Sequence, residues 1–134
     1  MVNSFHEILV NRGEDILQTI EAEFLRQGWK EAVVTNAIGS VKNLEFSTPL
    51  YDELPLRVVK TPWRGASEIL SFTGEIMPKE QMDPELKAVY PDQGSPLFIH
   101  IHASSARAGG AVMGGGLRGG VAFRSLRVFI RVLR

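Results

Sequence analysis

The chain has 134 residues, 44% of them hydrophobic and 22% charged, a length and balance that suit one soluble globular domain with its own core. Fifteen basic residues offset fifteen acidic ones, so the net charge argues against a domain that merely coats nucleic acid, while leaving room for a local basic face. With no cysteine, disulfides and thiolate metal ligands are excluded.

No apolar run approaches the roughly 20 residues of a membrane span. The opening "MVNSFHEILVNRGED" lacks the basic and apolar regions of a signal peptide, so a cytoplasmic location is expected. "HEILV" reads as a first strand. A helix follows over about residues 14–27, where Ile16, Leu17, Ile20 and Phe24 form an apolar stripe with Leu25 beside it. Glu14 and Asp15 are placed in its first turn, where the helix dipole favours acids, and Arg26 in its last. Gly28 is the natural C-cap. "EAVVTNAIGSV" leaves the helix as a strand with a bend or turn at Gly39-Ser40, and "LEFST" follows. "LPLRVVK" and "ASEILSFTGEI" are two further strands, separated by the turn-like "TPWRG". Pro78, Pro84 and Pro91 punctuate residues 78–96, predicting an extended surface loop with one helical turn at "PELKAV". "PLFIHIHAS", "GVAF" and "SLRVFIRVL" complete the strands. One helix among many strands indicates an α+β fold, with residues 1–134 as a single domain and a mixed, largely antiparallel sheet.

The last strand sends Leu126, Val128, Ile130 and Val132 to one face and Arg127, Phe129, Arg131 and Leu133 to the other. Arginine stems could cover the two apolar residues on that second face. Alternatively, all four form an oligomer interface, where aromatics and arginine are enriched.

Gly114, Gly116 and Gly119 formally satisfy G-x-G-x-x-G, yet "VAFRSLRVFIRVL" follows where a helix would be needed to hold a pyrophosphate. No Lys-Ser or Lys-Thr follows either, which excludes a P-loop. These glycines are better read as sites of tight turns and close backbone approach.

"NRGED", "AIGSVKNLEF", "EILSFTGEI", "LFIHIHAS" and "AVMGGGLRGGVAF" occur in an order and spacing that resemble the plants-and-prokaryotes-conserved (PPC) domain, free-standing prokaryotic type. The resemblance runs from about Phe5 to Val132 and implies a curled mixed sheet assembling as a homotrimer. It also implies two competing functions. Free-standing members are labelled DNA-binding by analogy with plant relatives, whereas the fold is similar to acetolactate decarboxylase, a zinc enzyme. The Arg-Gly-Arg-Pro core of an AT-hook is absent, since "WRGAS" at 63–67 lacks the second arginine and the proline. The family's Gly-Gly-His-Leu stands here as Gly114-Gly115-Gly116-Leu117, so Gly116 occupies the position of a third metal-binding histidine. Residues 78–96 are also longer than the family's usual turn before His-x-His.

His100 and His102 share one strand face with Phe98 and could converge on one metal ion, but two imidazoles fall short of the three protein ligands of a typical catalytic zinc site. His6 and Glu68 are the remaining candidate donors. His100, His102, Glu68 and Ser104 otherwise outline a ligand pocket, in which a His/Glu acid-base pair is conceivable. No nucleophile elbow occurs, and no catalytic residue is assigned. No cofactor is expected, with zinc held at low occupancy at most. The arginines of the last third give a basic bias, and Arg118 and Arg124 are the candidate nucleic-acid contacts. The favoured reading is a homotrimeric DNA-binding or regulatory module. Its alternative is a small-molecule-binding protein or degenerate metal-dependent enzyme around His100 and His102.

Overall fold

A computed structural model describes residues 4–90 and 94–134. Strand β1 (Ser4–Asn11) turns Ile8 and Val10 inward and leaves Phe5, Glu7 and Leu9 exposed. Helix α1 (Ile16–Gln27) starts with the apolar stripe, two residues later than expected, so Glu14 and Asp15 precede its first turn and do not lie within it. Asp15 is the N-cap, its carboxylate accepting the Gln18 N–H at 2.9 Å, and Glu14 accepts the Asn11 N–H at 2.7 Å. The Asp15 bond satisfies a donor that the first helical turn leaves open, while the Glu14 bond closes the turn between β1 and α1. Gly28 closes the helix in the left-handed region at φ 72°, donating to the Leu25 and Phe24 carbonyls. Ile16, Ile20 and Phe24 are wholly buried against the sheet.

The other strands are β2 (Ala32–Pro49), β3 (Val58–Pro78), β4 (Leu97–Ala106) and β5 (Val112–Val132). Three of them run straight through the residues that read as breaks. Gly39-Ser40 lies inside β2, "TPWRG" inside β3, and the gap after "GVAF" inside β5. Bulges account for the continuity: the β2–β5 register slips between Gly39 and Val41 and again between Lys42 and Glu45. A bulge bends a strand without ending it, so these punctuating residues mark corners. At one corner Asn43 adopts φ 56° and its side-chain oxygen accepts the Gly65 N–H at 2.9 Å.

The strand order is β1-β5-β2-β3-β4, and the first part of β5 also pairs with β4, so β2 to β5 close on themselves. Every pairing among the described strands is antiparallel, which corrects the expectation of a mixed sheet. The cause is connectivity: loops join β2 through β5 in turn, giving antiparallel neighbours, while α1 joins β1 to β2 with β5 between them. Leu126, Val128, Ile130 and Val132 all enter the core, which also holds Phe46, Phe72, Ile76 and Ile101. Between β3 and β4, single 3-10 turns at Lys79–Gln81 and Pro84–Leu86 fold the chain back, burying Met82 and Val89. Residues 91–93 of that segment, and residues 1–3 of the domain, lie outside the described residues.

Candidate ligand site and basic concavity

Strand alternation on β4 buries Ile101, Ala103 and Ser105 and places Phe98, His100, His102 and Ser104 on the opposite face. The rings form a continuous cluster: Phe98 stacks on His100 at 5.1 Å, and His100 meets His102 edge-on at 5.1 Å. Tyr90, from the folded-back segment, packs edge-on against Phe98 at 5.1 Å and His100 at 5.3 Å. No residue of that segment was expected here.

The carboxylate that reaches the histidines is Glu75, not Glu68. Glu75 stands opposite His100 in the β3–β4 register, with its Oε2 3.0 Å from His100 Nδ1. Glu68 pairs with Ala106, four residues beyond His102 and so about 13 Å along the strand. Register carries the signal that would find Glu75: if Pro78 faces Leu97 across the connection, His100 must face Glu75. Ser104 shares the histidine face and is bonded to Ser71, with hydroxyl oxygens 2.6 Å apart. His6 is remote, on β1 opposite Ile130, with Nε2 2.8 Å from the Ser4 hydroxyl and its ring 4.6 Å from that of Trp29.

Gly116 does face His102 in the β4–β5 register. A Cβ there would lie 3.0 Å from Ser47 Oγ and 3.1 Å from the Tyr90 hydroxyl, so those two groups fill the space a larger side chain would need. Arg118 completes the plug. Its Nε donates to Ser47 Oγ at 2.8 Å and its guanidinium lies 3.8 Å over the Tyr90 ring. Its second terminal nitrogen, Nη2, is buried without a hydrogen-bond acceptor. Burial pushes the His102 pKa below its ordinary value, with the neighbouring His100 adding to the effect. Burial likewise raises the Tyr90 phenol, partly opposed by Arg118.

These residues do not fit a zinc ion. The Glu75–His100 pair resembles the carboxylate that orients a metal-binding imidazole. Even so, among the described residues no three His, Asp or Glu side chains converge. The third position is a glycine whose space is taken, and a guanidinium sits over the tyrosine beside it.

Arg118 and Arg124, the two candidate nucleic-acid contacts, line different concavities. Arg118 lines a cleft of about 580 Å³ between α1 and the start of β4. Exposed Arg124 rims a separate concavity of about 980 Å³ with Arg12, Arg107, Phe123 and Glu68. Arg107 stacks 3.7 Å over Trp63 and donates to the Arg64 carbonyl. Among the described residues no carboxylate pairs with Arg12, Arg107 or Arg124, whereas Arg26, Arg127 and Arg134 pair with Glu23, Glu7 and Glu31. On the outer face of β5, Arg127 and Arg131 are exposed and Phe129 and Leu133 half-buried; exposed Phe5, Leu9, Val33 and Ile38 stand on the neighbouring strands.

A family model described as the Plants and Prokaryotes Conserved (PCC) domain matches residues 2–134. The chain belongs to this family. No curated protein sequence matches it. Among solved structures, the PPC domain is similar to a plant- and prokaryote-conserved protein from Pyrococcus horikoshii, at 25% identity and a TM-score of 0.75, covering 100% of this chain and 81% of that one. It is equally similar to a metal-containing protein from Archaeoglobus fulgidus, at 25% identity and a TM-score of 0.75, covering 99% and 81%. A third structure, from Bacteroides thetaiotaomicron and described as a "putative DNA-binding protein", shares the fold at 16% identity and a TM-score of 0.71, covering 98% and 84%. Among the described residues no helix is long and apolar enough to cross a membrane.

Proposed function

We propose that the protein is a cytoplasmic, homotrimeric PPC-domain binding module that docks on DNA through the concavity rimmed by Arg12, Arg107 and Arg124. The observation that carries this reading is one concavity lined by three arginines and a single acid, Glu68, with none of the three paired to a carboxylate among the described residues. A guanidinium with no carboxylate beside it has its charge unopposed for phosphate, and Arg107 is steadied for that role by the Trp63 ring and the Arg64 carbonyl. The description of the Bacteroides relative supports the same ligand class. Helix α1 is an unsuitable reading element, because its exposed side offers Gln18, Ala22 and Leu25, and its one arginine, Arg26, is paired with Glu23. Binding is therefore sequence-tolerant and electrostatic, and no catalytic step is assigned. The trimer is supported by the apolar residues interleaved with arginines around Phe129, a composition suited to an interface. Fluorescence anisotropy with a labelled duplex at low salt tests the reading. Arg107→Ala with Arg124→Ala should weaken binding at least tenfold, and unchanged affinity in the folded double variant would refute it.

A further inference from the structure

We propose that the cleft beside Arg118 binds a small carboxylate with an apolar body, Arg118 supplying the positive charge. The cleft, of about 580 Å³, is separate from the arginine concavity and lies within the size range of small-molecule pockets. Its walls include Leu17, Leu25, Met82, Tyr90 and Phe98, which suit an alkyl or aryl group. Arg118 is half-buried on that wall, held by Ser47 through Nε and by the Tyr90 face. Held this way, the guanidinium is fixed in orientation on the cleft wall. A planar, delocalised cation of this kind favours a flat carboxylate over a rounder, more highly charged phosphate. Lys79 and Glu21 also line the cleft with opposite charges, so Arg118 sets its electrostatic preference. Tyr90 and Phe98 belong to both the cleft and the histidine cluster, so an occupant would be felt at His100.

Isothermal titration calorimetry with hexanoate, acetate, hexylamine and inorganic phosphate tests this. Hexanoate should bind at least tenfold more tightly than acetate, and hexylamine should not bind. Arg118→Met should weaken hexanoate at least tenfold. Because that change also removes the Ser47 bond, Leu25→Trp serves as a second variant. It narrows the cleft from the exposed side of α1 and should weaken hexanoate but not acetate. Arg107→Ala with Arg124→Ala should leave hexanoate binding unchanged, which separates this site from the DNA surface. The proposal is overturned if no carboxylate binds the wild type, if folded Arg118→Met binds hexanoate normally, or if phosphate binds more tightly than hexanoate.

Discussion

Gly74→Ala would strike the fold where it builds the site. Gly74 faces Ile101 across the β3–β4 pair, between the Glu75–His100 and Thr73–His102 positions. A methyl group there would lie 2.8 Å from the Ile101 Cα and closer still to the His100 carbonyl oxygen. Ordinary contact begins near 3.4 Å, and both obstacles are backbone atoms, so no side-chain rotation offers relief. The strands must part by on the order of half an ångström or more, which costs about 3 kcal/mol by comparison with other overpacked sites. For a chain of this size that corresponds to a fall in Tm on the order of 10 °C. Scanning calorimetry would measure it, with Gly119→Ala as the control, since a Cβ at Gly119 meets nothing within 4 Å. A Tm within about 2 °C of the wild type would refute the close approach of β3 and β4.

His102→Gln tests the pH dependence. The His102 pKa is lowered in the folded state by burial, so the unfolded chain binds the proton more readily, and stability falls as pH drops below about 6.5. The variant should lose less Tm than the wild type between pH 7.5 and pH 5, and equal losses would contradict the assignment. Elemental analysis of protein purified without chelator should find less than about half a zinc ion per chain; one tightly held ion would show that the donor set is completed elsewhere. Gly116→His should gain little zinc alone, because the Tyr90 hydroxyl stands 3.1 Å from its Cβ position, and more when combined with Tyr90→Ala. Light scattering at micromolar concentration should give three times the 14.8 kDa chain mass, and Phe129→Asp should reduce it. A wild-type monomer would remove the interface.

Much of the fold is local and therefore legible in the residue pattern. The inward series Leu126, Val128, Ile130 and Val132 follows from simple alternation, and Gly28 as a C-cap from its place after the apolar stripe. Strand lengths were not legible, because Gly39, Asn43 and the "TPWRG" run serve as bulges and bends inside strands, and only pairing partners distinguish a corner from an end. The histidine face was legible for the same reason as the core. Its carboxylate was not, since choosing Glu75 over Glu68 needs the β3–β4 register. Arg118 shows the limit most clearly. Its direction is set by Ser47, 71 residues earlier, and by Tyr90 from a segment with no periodicity.

The most direct test of DNA docking through the arginine concavity is the salt dependence of affinity for a short duplex, read by anisotropy. If Arg12, Arg107 and Arg124 each neutralise one phosphate, log K should fall against log salt with a slope of about −2.7. Raising salt from 50 to 200 mM would then weaken binding roughly 40-fold. A slope near zero, or no binding at 50 mM salt, would contradict it.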